Sequence, residues 1–432
     1  MKVVAFVPAK GSSSRVENKN TKLLDGKPLF LHTLEKLISC DFIDEVYLDT
    51  ESEDIISLAA HSGAKVLRRD ISLASNATDG NKLFMNEVSH VEADIYIQVL
   101  GTSPFINPLK IKEGVDALRE SDIFDSAVLV RREKQYAWDE QGPKYDINNI
   151  PNSVDLSDAI VETMGLYVVK RDAALRTGRR IGDKPYLINA SVQDAFDVNY
   201  PDDFEMANLL AAGLRERDRR LLNNIKSFMT SPILSDILDD LGYCGQIISG
   251  LTPNISGGKL LGRAKTLKLR ELRPGEDFKG IYSALRSYDT VVPNDIIMVE
   301  NCMGEYAYFG ELNANLALRA GAIGTIVGGK TRDGNEVLAL GYPVFSTGYT
   351  CQDVRRRATV DSINEPIQMS GVRVVVGDLI FADNEGVIVI PKKVESKVIE
   401  AVYNRAASEK KILNEIAMGV DVDVLTEKYG FF

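Results

Sequence analysis

Apolar runs of strand length alternate with stretches of helical period through the first half of the chain, and this alternation restricts the fold more than any other feature. VVAFVPA, EVYLDT (Glu45 to Thr50), AKVLRR, ADIYIQVLG (Ala93 to Gly101), SAVLVRR (Ser126 to Arg132) and ETMGLYVVKR read as strands. Pro28 to Ser39 carries apolar residues at helical spacing, SEDIISLAAHSG reads as a helix closed by Gly63, and another helix is expected around Leu109 to Leu118. Such alternation predicts an α/β fold with a mostly parallel sheet covered on both faces. Ligands of such sheets bind beyond the carboxyl ends of the strands.

The pattern changes after NLLAAGLRERDRRLLNNIKSF (Asn208 to Phe228), a charged helix that reads as a connector with RERDRR on a solvated face. A helix at Leu234 to Leu241 follows, then short glycine-punctuated strands: KLLGRAKTLKLRE, DIIMVEN, GTIVGG, PVFSTG, VRVVVGDLIFAD and GVIVIP. They predict a swivelling or barrel-like β/α domain, not a second copy of the first. VESKVIEAVYNRAASEKKILNEIAMG reads as a long amphipathic helix with a polar tail after it. The expected division is residues 1–215, a helical linker 216–224, a second domain 225–420 and a tail 421–432.

Composition removes several alternatives. A net charge of -11 argues against a general nucleic-acid or lipid-surface binder. Cys40, Cys244, Cys302 and Cys351 form no Cys-x-x-Cys pair, which fits a reducing compartment. The start lacks a signal-peptide pattern, and no apolar stretch approaches the ~18 residues of a membrane span. The expectation is a cytoplasmic enzyme with small-molecule substrates, no nucleic acid and no membrane. All three histidines (His32, His61, His90) lie in the first quarter. Chemistry in the second half must therefore use carboxylates, Lys, Arg, backbone dipoles or an oxygen-ligated metal.

PAKGSSSRVENKN follows the first strand. Its Gly and Ser residues can present several N–H groups to one spot, with Lys10, Arg15 and Lys19 nearby, which suits a polyphosphate. A polar surface turn has the same composition, and the loop is neither a Walker A nor a Gly-x-Gly-x-x-Gly sequence. PAKGSSSRVENKN nevertheless resembles the Pro-Ala-Arg-Gly-Gly-Ser-Lys-Arg-x-x-x-Lys-Asn signature of the CMP-sugar-acid synthetases, the cytidylyltransferases for sialic, pseudaminic and KDO-type acids. KLLDGKPLFLHTLE, YLDTESEDI, RRDISLASNATDG, VLGTSPFI, ETMGLYVVKRD, RRIGDKPYLI and QDAFDVNYPDDFEMAN match in the family's order, over roughly residues 1 to 215.

The resemblance implies a Rossmann-like nucleotidyltransferase fold and CTP as substrate. It places Ala9, Lys10, Gly11, Ser12, Ser13, Arg15, Lys19 and Ser75 around the nucleotide, with Arg15 and Lys19 catalytic, and Asp197 on Mg2+ or another divalent ion. From the residues alone, Asp197 could equally satisfy turn amides before Pro201. The chain departs from the family at Asn199, where a second metal-ligating Asp is usual. It also has Leu100 and Gly101 in place of a Gln, Lys10 in place of Arg, and Ser14 in place of Lys.

In the second half, FGELNANLALRAGAIGTIVGGKTRD opens a helix near Glu311 and delivers Arg332 and Asp333 after a strand. A helix start facing an Arg and an Asp suits a carboxylate and a metal. Glu311 complementing the helix dipole beside an Arg332–Asp333 surface turn explains the spacing as well. This half resembles the RraA-like family, which includes 4-hydroxy-4-methyl-2-oxoglutarate aldolases and a ribonuclease E regulator. The matches run from SPILSDILDDLG through GGKLLGRAKTLKL and the Gly-Glu…Arg-Asp signature to INEPIQMSGVRVVVGDLIFADNEGVIVIPKK, about residues 225 to 400. That resemblance implies a swivelling β/β/α fold. It puts Asp333 on Mg2+, Arg332 with the amides of Leu312 and Asn313 on a keto acid, and Glu311 on a proton-transferring water. It also implies a homo-oligomer, a trimer or hexamer.

The expected function is bifunctional: CMP transfer from CTP to a sialic-acid-like 2-keto sugar acid, joined to a Mg2+-dependent aldolase or decarboxylase. The alternative is a cytidylyltransferase for a phosphonate or other acid, with the second domain a non-catalytic oligomerisation or regulatory module.

Overall fold

The computed structural model describes residues 1–75 and 77–430. The chain forms two compact units, Met1–Ala211 and Ala212–Phe432.

The first unit contains β1 (Val3–Pro8), α1 (Leu29–Ile38), β2 (Glu45–Thr50), α2 (Glu53–Leu58), β3 (Lys65–Arg68), α3 (Gly80–His90), β4 (Ile95–Val99), α4 (Pro108–Glu120), β5 (Ser126–Glu133), β6 (Ala159–Lys170), α5 (Arg171–Thr177) and β7 (Pro185–Asn189). The sheet order is β7-β5-β6-β4-β1-β2-β3. β6 runs antiparallel to both of its neighbours, and the other pairings are parallel. Alternation along β1 explains the two faces: Val3, Ala5 and Val7 enter one apolar cluster with residues of α1 and α4, whereas Val4 and Phe6 enter another with residues of α3 and α5. α2 stops at Leu58, before the expected Gly63. Only Ile55 is buried within it, and turns through Ser62, whose Oγ donates to Ala59 O at 2.7 Å, replace the last turns.

α6 (Pro201–Lys226) begins in the first unit, and the division falls within it. The second unit contains α7 (Ser231–Asp240), β8 (Ile247–Ile248), β9 (Thr252–Pro253), β10 (Leu260–Glu271), β11 (Asp295–Asn301), α8 (Glu311–Ala320), β12 (Gly324–Val327), α9 (Gly334–Ala339), β13 (Val344–Ser346), β14 (Ala358–Ile363), β15 (Leu379–Ala382), β16 (Val387–Ile390), α10 (Glu395–Ala417) and α11 (Val422–Tyr429). The strand path is β8-β16-β15-β10-β11-β12-β13-β9. β10 is long enough to serve two partners along one edge: β15 pairs with Leu260 to Arg263 and β14 with Leu267 to Glu271. VRVVVGDLIFAD is not one strand. Gly377 takes φ 88°, and the Asp378 carboxylate accepts from Val375 N at 2.9 Å and Lys392 N at 3.1 Å, turning the chain between Val374 and Leu379.

Among the described residues, no helix is long and apolar enough to cross a membrane.

Candidate active sites

In the first unit, the chain leaves β1 with Ala9 buried and its N–H donated to Asp49 O at 2.9 Å. Gly11 N donates to Glu51 Oε1 at 2.7 Å, and a Cβ at position 11 would lie 2.8 Å from Ser52 Cβ, so the close approach to the start of α2 requires glycine. Asn20 Nδ2 donates to Lys10 O at 2.8 Å and thereby ties the far end of the loop to its start. Between these ties Ser12, Ser14 and Arg15 are exposed.

Lys19 is drawn inward. It is 8% exposed, and its ammonium donates to Val198 O at 2.8 Å. Burial lowers its pKa from the usual lysine value. Asp197 acts against that shift, Arg15 and Lys10 reinforce it, and Asp203 acts against it. Lys10, Arg15, Lys19 and Asp197 therefore share one electrostatic neighbourhood. Arg15 also lies 5.3 Å from the centre of the Tyr200 ring.

Asp197 Oδ1 accepts from Ser103 Oγ at 2.9 Å, and its Oδ2 accepts from Asn199 Nδ2 at 2.7 Å. Val198 N donates to Thr102 O at 2.9 Å, which joins the VLGTSP segment to the DVN segment. The Asp203 carboxylate accepts from both Asn199 N and Tyr200 N at 2.8 Å and fixes the start of α6. Ser75 stands apart from this group: its hydroxyl lies 3.3 Å from Thr78 Oγ1 on an exposed turn. Ser103, Glu51 and Arg69 were not singled out from the sequence. Only the VLGTSP match pointed toward Ser103.

Among the described residues, no group of three or more His, Cys, Asp or Glu side chains is arranged to hold a metal ion. Asp197 fits a different role. Each of its oxygens receives one donor and keeps a lone pair, which suits an ion bound through one carboxylate and substrate phosphates.

In the second unit, β12 leads to Arg332, whose N donates to Phe309 O at 3.0 Å beside a Phe309–Thr331 bridge. That registration puts Asp333 over the start of α8. Asp333 adopts φ 56°, and its Oδ2 accepts from Glu311 N at 3.2 Å, so it caps a helix whose own N-cap residue, Gly310, has no side chain. A Cβ on Gly310 would come within 2.4 Å of Asp333 Oδ2. The first i→i−4 bond of α8 runs from Ala314 N to Gly310 O at 3.0 Å, so Leu312 N and Asn313 N lie ahead of the helical ladder. Asn313 Nδ2 donates to Tyr308 O at 2.8 Å.

Glu311, Leu312, Asn313, Arg332 and Asp333 line one open cleft of about 1340 Å³. Arg332 Nη1 pairs with Asp353 Oδ2 at 2.9 Å, and its Nε lies 3.7 Å from Asp333 Oδ2. Asp353, also in the cleft wall, was not foreseen. Asp333 can hold a metal only as a single carboxylate, so ions with several water or substrate ligands fit it best.

The cytidylyltransferase family's sequence model matches residues 4–192, and the model for the RraA-like family (aldolase/RraA) matches residues 231–389. The chain is 33% identical over 203 residues to Protein DlpA of Legionella pneumophila, which covers 46% of this chain but 32% of that one, so it spans about a third of that relative. The CMP-N,N'-diacetyllegionaminic acid synthase of Legionella pneumophila is 25% identical over 228 residues, covering 49% of this chain and 96% of that protein. "Putative 4-hydroxy-4-methyl-2-oxoglutarate aldolase" of Halalkalibacterium halodurans is 30% identical over 191 residues, covering 43% and 85% respectively. The chain thus belongs to the RraA-like aldolase family through its C-terminal half, in tandem with an N-terminal half that matches the cytidylyltransferase family model and is similar to CMP-sugar-acid synthases.

Proposed function

We propose that the N-terminal unit transfers CMP from CTP to an acidic acceptor, a 2-keto sugar acid of the sialic acid type, and releases pyrophosphate. The observation that carries this reading is the gathering of Ser103 and Asp197 beside Lys19, with Lys10 and Arg15 in the same field. An acceptor oxygen attacks the α-phosphorus while the bond to the β-phosphate bridging oxygen breaks, so negative charge grows on the departing pyrophosphate. Lys19 and Arg15 answer that charge, and burial with the Val198 carbonyl keeps Lys19 in place. Lys10 and the amides of Ser12 and Ser13 receive the resting phosphates, while Ala9 N and Gly11 N, already donated to Asp49 O and Glu51 Oε1, hold the loop in shape. Asp197 would hold Mg2+, which would supply Lewis-acid polarisation. In a test with CTP, Mg2+ and a panel of 2-keto sugar acids and phosphonates, pyrophosphate is expected with at least one sugar acid. Release with none of the panel defeats the reading, and release with phosphonates only moves it to the alternative acceptor.

In the same proposal the C-terminal unit is a Mg2+-dependent lyase for a 2-keto acid. Arg332 and the amides of Leu312 and Asn313 receive the carboxylate and the developing enolate and Glu311 positions a water, while Asp333 would hold the ion, which would supply Lewis-acid polarisation. The two units then share a chemistry, because sugar acids of this type are 2-keto acids assembled from a three-carbon unit and an aldose. A second reading draws on the Arg332–Asp353 pair, which already engages Nη1 of the guanidinium. In it the C-terminal unit is a non-catalytic module that assembles the chain as a trimer or hexamer. Pyruvate release from a 4-hydroxy-2-oxo acid or from oxaloacetate separates the two.

A further inference from the structure

Beneath the opening loop lies a group of charged side chains that neither proposed reaction uses. Asp49, at the end of β2, and Glu87, on α3, are both 0% exposed. Gln98 on β4 donates its Nε2 to Glu87 Oε2 at 2.7 Å. Arg69, directly after β3, is buried with them. Its Nη2 donates to Asp49 O at 2.6 Å, and its Nε lies 3.3 Å from Asp49 Oδ1 and 3.4 Å from Glu51 Oε2. Glu51 in turn holds the Gly11 amide through its other oxygen. A continuous chain of contacts therefore runs from Glu87 through Asp49, Arg69 and Glu51 to the first turn of the loop.

The charges do not balance if every acid is ionised. Three carboxylates would face one guanidinium, with Asp49 and Glu87 fully buried and Glu51 partly so. His90, another titratable group of α3 in their field, acts on Asp49 less than Arg69, Glu87 and Glu51 do, from an exposed position, and Gln98 is neutral. Both oxygens of Asp49 and Oε1 of Glu87 lack a donor when the two groups are carboxylates, although these side chains lie within hydrogen-bonding reach of each other. Such a contact forms only when one of them carries a proton. Burial pushes Glu87 well above the usual carboxylate range, and the Asp49 charge pushes it further. Burial also raises Asp49, against the pull of Arg69. Because Gln98 donates to Oε2, the arrangement that satisfies most atoms puts the proton on Glu87 Oε1, donated to Asp49, whose charge then meets Arg69.

We propose that Asp49 and Glu87 share a single proton and that this pair positions the nucleotide loop, holding Arg69 and through it the Glu51 carboxylate that grips Gly11 N. The inference rests on the CTP reading above for its functional consequence, but not for the proton. When the proton leaves, a second buried negative charge competes with Glu51 for Arg69, and the grip on Gly11 loosens. Glu87 and Asp49 are positioning residues, since neither lies among the groups assigned to substrate.

Glu87→Gln keeps the shape and a donor toward Asp49 but has no proton to lose. Calorimetry of CTP binding with Mg2+ across pH 6 to 10 should show wild-type affinity falling on the alkaline side by at most about tenfold per pH unit, as one linked proton allows. Glu87→Gln should bind like wild type at neutral pH and fall off less. Superimposable profiles overturn the positioning role. Glu51→Ala should weaken CTP binding severalfold at all pH values, with Glu51→Gln restoring most of it, and equal affinity in Glu51→Ala and wild type also overturns it. Infrared difference spectra of the nucleotide-free protein at neutral pH provide the independent arm. A protonated-carboxyl band that shifts in D2O and vanishes in Glu87→Gln is expected, and its absence from wild type overturns the shared proton. If no variant binds CTP at any pH, the nucleotide reading and the positioning role fall together, while the infrared band still decides whether the proton is there.

Discussion

The two candidate sites both offer backbone amides and an arginine to an anion, but they are charged and assembled differently. In the N-terminal unit, Lys10, Arg15 and Lys19 gather around Asp197 from the loop after β1, while Ser103 and Asp197 come from segments 94 residues apart. In the C-terminal unit, Glu311 and Asp333 are 22 residues apart, and Arg332 is clasped between Asp353 and Asp333. The first arrangement leaves a surplus of cations, which suits a polyphosphate that brings its own counterion. The second has little free positive charge, so it suits a small keto acid whose polarisation depends on an added ion. The difference shows that a helix start or a loop amide does not by itself select the ligand; the charges around it do.

Asp197→Ala strikes the more highly charged site and should have the largest effect. It removes the acceptor of Ser103 and Asn199 together with the proposed ion ligand, and CTP-dependent pyrophosphate release should fall by about a thousandfold, with keto-acid cleavage untouched. A matching loss in both activities would break the view of two separately built sites. Asp333→Ala should lower keto-acid cleavage by about three-hundredfold and leave pyrophosphate release unchanged. It also strips the cap from α8, so thermal unfolding should report about 1 kcal/mol of lost stability. Unchanged cleavage with intact folding would favour the non-catalytic reading of this unit.

The units also treat buried acid differently, which sharpens the comparison at smaller scale. The N-terminal pair is proposed to share a proton, whereas Asp295 in the C-terminal unit stands alone among cations. Burial raises it to about 6, against the opposing charge of Lys265 and the Val292 N–H. The folded chain thus holds this proton to a higher pH than the unfolded chain, whose aspartate ionises near 3.8. Unfolding between those values releases a proton, so stability declines as pH rises from about 4 to about 6 and levels off above. The decline attributable to this group is at most roughly 3 kcal/mol. Denaturant melts of wild type and Asp295→Asn over that window should differ in slope, the variant being flatter. Equal slopes would show that Lys265 and Arg215 neutralise the buried charge fully.

Much of the architecture was legible because it is written in local periodicity. VVAFVP alternates its side chains between two helix-covered faces, and the periodic apolar positions of Leu29–Ile38 form α1. The glycine and serine loop after β1 was legible for the same reason. Reading failed where side-chain bonds turn the backbone against its apolar pattern, as when the Asp378 carboxylate, within VRVVVGDLIFAD, takes Val375 N and Lys392 N and splits it. It also stopped short at the sites: Glu311 and Asp333 were visible as residue types in a suggestive spacing, but the cap that one provides to the other's amide was not.

The order of amino acids alone determined the alternating elements of the first unit, the glycine-punctuated strands of the second, and the absence of histidine from all chemistry after His90. Tertiary structure decided what surrounds each acid. Asp197 keeps company with cations, Asp295 and Glu87 are shut away from water, and Asp333 is turned onto a helix start. The physical reason is that periodicity is a property of neighbours along the chain, whereas the free energy of a charge depends on water and on groups that only folding brings near.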